Sequence, residues 1–233
     1  MQPNRLSKIL SRAGVASRRG AETLIFSGKV RVNEQVVTLP QTIVDPEKDQ
    51  IQVDSQLLLI DTKRVYYMLN KPRGLICSNQ PMSRKKLVID LFAKEGRRLF
   101  TIGRLDRDTT GLLLVTNDGH FAQNVIHPSK NIAREYLVKT EQELTHEHLV
   151  ALSKGTLIEK VWVRPSKVTK VRKGTVKIVV KEGKKREVRL LVQNAGLTLV
   201  SLTRIRIGGL KLGALKEGEW RPLSEKDRAS IFT

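Results

Sequence analysis

The chain has 233 residues, with 43 Lys and Arg against 23 Asp and Glu and a formal net charge of +20. That length, with 39% hydrophobic residues, suits one large domain or a small domain joined to a medium one; the charge favours a polyanionic partner, nucleic acid ahead of a membrane surface, through counterion release. No run nears the roughly 18 apolar residues of a spanning helix, and the single cysteine, Cys77, excludes an internal disulfide or a cysteine-cluster zinc site.

In chain order, Met1 to Arg5 has no apolar signal region behind it, so a cytoplasmic protein is expected. Residues 5–29 predict two short helices. Leu6, Ile9 and Leu10 have helical spacing, Ala13-Gly14-Val15-Ala16 interrupts them, Ser17 caps a second helix and Ser27-Gly28 stops it. Lys29 to Val37 alternates and turns near Asn33, which gives a helix-helix-hairpin unit. Residues 1–31 hold seven basic residues and one acid, Glu22, so the charge is gathered on part of a small module.

A linker is expected at Asp61-Thr62-Lys63-Arg64, dividing the chain into residues 1–62 and 63–233. Val65 to Asn70 reads as a buried strand closed by Lys71-Pro72-Arg73-Gly74. Strand-like runs then alternate with helical ones, such as Asp118 to Ile126, without a βαβ rhythm. The predicted fold class is therefore α+β, with a mixed, largely antiparallel sheet flanked by helices. His146 and His148 lie in a polar stretch that predicts helix decoration rather than a metal site. Between Arg164 and Arg189, eleven basic residues face only Glu182 and Glu187.

The most informative segment is Gly103 to Gly119: a polar turn with Asp106 and Asp108, an apolar strand, then Asn117-Asp118-Gly119. A carboxylate at the mouth of a turn, fixed by a buried strand, is held rigidly within reach of a ligand. Composition alone leaves three readings for Asp106 and Asp108: a catalytic pair, a metal site, or turn caps, with capping favoured. Asp106-Arg107-Asp108-Thr109-Thr110 also fits the D-x-D-x-T pattern of haloacid-dehalogenase-like phosphatases, but Gly103-Arg104 interrupts the strand expected before it and two arginines would oppose a bound cation.

Two resemblances cover nearly the whole chain. Arg5-Leu6, Ser17-Arg18-Arg19, Ile25, Gly28 to Asn33 and Val44-Asp45-Pro46 resemble an S4 RNA-binding domain over about the first sixty residues, which implies that Arg5, Ser17, Arg18, Arg19, Lys29 and Arg31 approach RNA phosphates. Asn70 to Gly74, Gly103 to Gly119, Ala133 to Val138, and Glu182 to Leu190 followed by Leu202 to Gly208 resemble the RsuA-like pseudouridine synthases. That likeness implies Asp106 as nucleophile, Tyr136 stacked on the target uracil and aiding proton transfer, Arg189 as the ion partner of Asp106, and Arg104 filling the space left by a flipped base. Lys71, Lys185 and Arg186 are assigned to RNA contact, with the whole 164–189 basic stretch lining the cleft. Two routes stay open for Asp106, attack on the sugar or removal of a sugar proton.

The implied reaction is isomerisation of a uridine in ribosomal RNA, with a leaning toward large-subunit RNA of the 23S type, by a monomer without metal or cofactor and without membrane contact. Glu187 stands where the family commonly has Gln and is expected to compete for Arg189. The rival reading is a non-catalytic RNA-binding ribosome-assembly factor on the same fold.

Overall fold

In the computed structural model, which describes residues 3–59, 63–80 and 85–233, the chain forms two units, Met1–Arg64 with Glu95–Arg98, and Val65–Lys94 with Leu99–Thr233. Asp61 and Thr62 of the expected linker lie outside the described residues.

The first unit contains β1 (Asn4–Arg5), α1 (Leu6–Arg12), α2 (Arg18–Phe26), β2 (Val30–Val32), β3 (Gln35–Val36), β4 (Ile43–Val44), β5 (Ile51–Val53) and β6 (Gln56–Leu57). Leu6, Ile9 and Leu10 share a face of α1, and Ala21 and Ile25 share one of α2. Both faces close on Val30, Val44 and Ile51. The Ser17 hydroxyl accepts from the Gly20 amide at 3.0 Å, capping α2 as its sequence predicts. Asn33 and Glu34, both left-handed at φ 49° and 69°, turn β2 into β3. The Asn33 side chain locks that turn by accepting from the Gln50 amide at 2.9 Å and donating to Asp49 at 2.8 Å.

The second unit contains β7 (Tyr66–Lys71), β8 (Phe100–Ile102), β9 (Thr110–Thr116), α3 (Gly119–Ile126), β10 (Arg134–Thr140), α4 (His146–Lys154), β11 (Thr156–Ile158), β12 (Val161–Val163), β13 (Lys167–Arg172), β14 (Thr175–Val180), α5 (Glu187–Asn194), β15 (Leu199–Ile207), β16 (Leu210–Lys211), β17 (Trp220–Pro222) and α6 (Glu225–Ser230). Its main sheet runs β13-β14-β10-β15-β9-β7-β17, with β8 beside β9 and β16 beside β15. β15 pairs with β9 in parallel, and the other pairings named in this sheet are antiparallel, as the α+β reading expects. His148 closes a capping box with Thr145 at the start of α4.

β9 is the spine of this unit. From Gly111 to Thr116 every residue is buried, because helices and loops cover both faces; hence the continuous apolar run rather than alternation. Its start lies against β15 at the parallel crossing, where Arg204 is the register partner of Gly111. Gly111 has φ +102°, and a Cβ there would stand 2.2 Å from the Arg204 carbonyl oxygen. No side chain fits, and the backbone angle itself disfavours one. Gly111→Ala is therefore expected to destabilise the unit by about 3 kcal/mol or more, read as a large drop in thermal midpoint or loss of folded protein on expression.

Candidate active site

The loop between β8 and β9 sorts its residues by burial. Gly103, at φ +69°, turns the chain out of β8. Leu105 and Thr109 point inward and are nearly fully buried, while Arg104, Arg107 and Asp108 are exposed and Asp106 is half-buried. The Leu105 amide donates to the Cys77 sulfur at 3.4 Å, and the Thr109 amide donates to the Asp106 carbonyl at 3.1 Å, closing the turn. Burial pushes the Cys77 thiol above its ordinary range, so it stays neutral beneath the loop.

Lys71 corrects an expectation. Its side chain is fully buried, so it does not contact RNA directly; its ammonium instead donates to the carbonyls of Pro72 at 3.0 Å, Thr109 at 2.9 Å and Arg107 at 3.4 Å. The Gly74 amide adds a bond to the Arg107 carbonyl at 2.7 Å. The Asn70 to Gly74 segment thus braces the underside of the Asp106 loop. Burial pulls the Lys71 ammonium below its ordinary value, while the nearby acids, Asp108 and Asp106 among them, act in the opposite sense.

Arg189, in the first turns of α5, reaches the loop from the other side. Its Nη2 lies 2.9 Å from an Asp108 carboxylate oxygen and donates to the Thr109 hydroxyl at 2.9 Å. Its Nε sits 3.4 Å from Asp106 Oδ2, an ion-pair distance without hydrogen-bond geometry. One guanidinium therefore holds both carboxylates, and Asp108 does more than cap a turn. The Arg189 guanidinium is thus a third cation, beside Arg104 and Arg107, in a loop that the dehalogenase-like reading would give to magnesium. Arg189 is 14% exposed and Asp106 38%; removing a partner from a buried pair costs on the order of 3–5 kcal/mol, and less here because the acids meet water. Nothing in the sequence marks Asp108 and Thr109 as partners of Arg189, since a separation of 80 positions between Thr109 and Arg189 conceals the contact.

Asp106, Arg104, Tyr136, Lys185, Arg186 and Arg189 all line one cavity of about 590 Å³. Tyr136, on β10, is half-buried and packs where two of the hydrophobic clusters meet. Two wall residues escaped the sequence reading as site residues. Arg134 donates to the carbonyls of Ile132 at 3.2 Å and Lys181 at 3.1 Å, tying two walls together. Arg204, 4% exposed, donates from Nε to the Leu112 carbonyl at 2.7 Å and leaves Nη2 buried without a partner.

The basic stretch divides. Lys184, Lys185, Arg186 and Arg189 border the cavity, whereas Arg164, Lys167, Lys170, Arg172, Lys173 and Lys177 do not; they lie from the end of β12 through β13 and β14. Glu187 also departs from expectation. It is 3% exposed, and its Oε2 accepts from the amides of Gly183 at 2.8 Å and Lys184 at 3.0 Å. It staples the basic loop instead of competing for Arg189. Its Oε1 is buried with no hydrogen bond, and burial pushes the pKa of the carboxyl up from its ordinary 4.5 despite those amides.

In the first unit, Arg5, Ser17, Arg18, Arg19, Lys29 and Arg31 are all exposed. Arg18 and Arg19 open α2, whose first turn holds no acid. Lys29 makes an open ion pair with Asp54 at 3.6 Å.

A family model described as RNA pseudouridylate synthase matches residues 65–194, and an S4 domain model matches residues 4–51. The chain belongs to the RNA pseudouridylate synthase family. Among its relatives, ribosomal large subunit pseudouridine synthase B of Bacillus subtilis is 38% identical over 94% of this chain and 92% of that protein. A chloroplastic Arabidopsis thaliana protein, SVR1, named provisionally as a ribosomal large subunit pseudouridine synthase, is 43% identical over 97% of this chain; the chain spans 62% of its length. A solved pseudouridylate synthase structure superposes with a TM-score of 0.70 at 30% identity, covering 98% of this chain and 99% of that one. The four motifs in the second unit are thus those of an isomerase family, and the first unit carries its S4 RNA-binding module.

Glu187 yields a prediction with a definite sign. Because its folded-state value lies above 4.5, the folded protein resists ionisation that the unfolded chain accepts, and stability is lost as pH rises from 4.5 through the folded value. Glu187→Gln keeps an oxygen for the two amides and removes the charge. Its thermal midpoint is expected a few degrees above the parent at pH 7.5, with the difference closing at or below pH 4.5; a lower midpoint at neutral pH would overturn this account.

Proposed function

We propose that this chain isomerises a uridine of large-subunit ribosomal RNA to pseudouridine in the cytoplasm, with Asp106 as nucleophile and the target base flipped into the cavity. The observation that carries the assignment of Asp106 is its place: a half-exposed carboxylate in the cavity wall, fixed from below by Lys71 through the loop carbonyls and from the side by Arg189. The large-subunit substrate is supported by the names of the Bacillus subtilis and Arabidopsis relatives.

A carboxylate is a weak nucleophile, and its use depends on orientation and on a charge that stays in place. Arg189 supplies both, because a planar guanidinium holds a direction that an ammonium does not. The uridine leaves its stack at a cost of a few kcal/mol, favouring loops and unpaired positions. Arg104, exposed at the rim, takes the vacated space, and the half-buried ring of Tyr136 stacks on the uracil. Lys185 and Arg186 take the adjoining phosphates. The Asp106 carboxylate bonds to C1′ as the C1′–N1 bond breaks, the uracil turns in place, C5 attacks C1′ and releases the carboxylate, the proton leaves C5 and N1 gains one. No oxidant or donor is consumed, since uracil is both leaving group and returning nucleophile.

The S4 unit holds RNA through Arg5, Ser17, Arg18, Arg19, Lys29 and Arg31. Ser17 serves α2 as a cap through its oxygen lone pairs, while its hydroxyl hydrogen is free to donate. Arg18 and Arg19 add two cations to the positive end of the helix dipole, which favours an anion there.

Asp106→Asn is nearly isosteric and is expected to retain RNA binding while pseudouridine formation falls by a factor on the order of 10³ or more, measured by carbodiimide mapping of transcribed large-subunit RNA. Full modification by that variant would overturn the assignment of Asp106, and none by the parent protein would favour the assembly-factor reading. Tyr136→Phe is expected to lower turnover about 100-fold with near-normal binding. Replacing Arg18 and Arg19 together by alanine is expected to make the salt dependence of RNA binding shallower by about 1.5 in log–log slope; an unchanged slope would place both arginines outside the interface.

A further inference from the structure

Residues 154–173 hold seven Lys or Arg and one acid, Glu159, and none of them borders the catalytic cavity. β13, which carries four of these cations with the residue after it, is the outer strand of the main sheet. Lys167, Thr169, Lys170, Val171 and Arg172 are exposed along it. In the order β13-β14-β10-β15-β9, this edge is four strand spacings from the strand that follows the Asp106 loop. At about 4.8 Å per spacing that is roughly 19 Å, too far for a base seated at Asp106 to touch it.

The β11–β12 hairpin leads into this strand and is turned through Glu159 and Lys160 at φ 50° and 66°. It presents Trp162, which is 60% exposed. The indole is fixed, because its N–H donates to the Lys154 carbonyl at 3.1 Å. Nearby, Arg164 Nε donates to the Ser153 carbonyl at 3.0 Å. Both bonds end on the last carbonyls of α4, so ring and guanidinium share one rigid rim. Arg164 and Lys167 also border a recess with Ser153, Pro165 and Ser166.

Cations alone on an edge strand serve to keep sheets from pairing. An exposed, immobilised tryptophan works against that purpose, since it offers apolar area to any neighbour. A ring for a base and cations for the phosphates on either side together form the combination that binds single-stranded nucleic acid. Ordering the indole in advance also lowers the entropic cost of stacking on it.

We infer that β13 and the β11–β12 hairpin form a second RNA-docking surface on the catalytic unit. It grips substrate RNA flanking the target, with phosphates on Arg164, Lys167 and Arg172 and an unpaired base stacked on Trp162. This rests on the pseudouridine synthase reading and adds to it a binding surface outside the cavity. Such a surface acts on affinity and substrate choice, leaving the chemical step to the Asp106 loop.

The test uses the full chain and unmodified, transcribed large-subunit ribosomal RNA. Trp162→Ala and the pair Lys167→Gln with Arg172→Gln alter exposed side chains, and unchanged thermal midpoints confirm that each variant is folded. Each is expected to raise KM about tenfold at unchanged kcat, and the charge pair also to make the salt dependence of binding shallower by about 1.5. Trp162→Phe is expected to restore most of the affinity, because a ring of either kind stacks. Unchanged KM and binding in both variants overturns the inference and leaves β13 as a charged edge that keeps sheets apart. A parent protein that makes no pseudouridine on the transcript defeats the catalytic reading instead, and filter binding of the same transcript then decides the docking surface separately.

Discussion

A single guanidinium, Arg189, reaches across the second unit to hold Asp106, Asp108 and Thr109 at once. The Asp106 loop is otherwise a turn of alternating charge, and like-charged acids two residues apart would drift apart in water. Arg189 gathers them, and its mostly buried position lowers the local dielectric in which that attraction acts. The buried Lys71 answers from below through carbonyl oxygens, not carboxylates. The loop backbone and the loop side chains are thus fixed by separate cations, and neither is free to relax without exposing a charge.

That division explains how a carboxylate stays both rigid and accessible. Stability resides in Leu105, Thr109 and the β9 spine, which are buried, while Asp106 stays partly open to the cavity. Across the cavity the 181–186 loop is rich in cations that would repel one another; Glu187 gathers it through backbone amides. A buried carboxylate with one orphaned oxygen is a local cost to folding, accepted where a basic wall must be presented to RNA. Strain and burial of charge here coincide with the site, as expected where function and stability compete for the same residues.

The charge of +20 is likewise distributed by the fold rather than spread evenly. One portion opens α2 in the S4 unit, one lines the cavity, and one follows the outer strand of the sheet. Long-range attraction to a polyanion follows from the total, whereas the separate placements decide which part of the surface each group of cations can present to phosphate.

Local pattern was enough for the elements whose neighbours lie close in sequence. The Ser17 cap, the Gly28 stop, the Asn33 turn and the apolar run of β9 are all decided by interactions within a few residues, and the motif series from Asn70 to Gly208 identified the family. What the sequence could not reveal depends on contacts between distant segments. Lys71 carries the same charge as any RNA-binding lysine, and only the packing of β7 under the Asp106 loop turns it inward. Glu187 lies two residues from Arg189, yet the left-handed Arg186 at the head of α5 directs its carboxylate to the amides of Gly183 and Lys184. The basic run from 164 to 189 reads as one stretch and is split by strand order into an edge and a cavity wall. Sequence specifies which groups are charged; burial and strand order, which arise only when remote segments meet, decide what each charge faces.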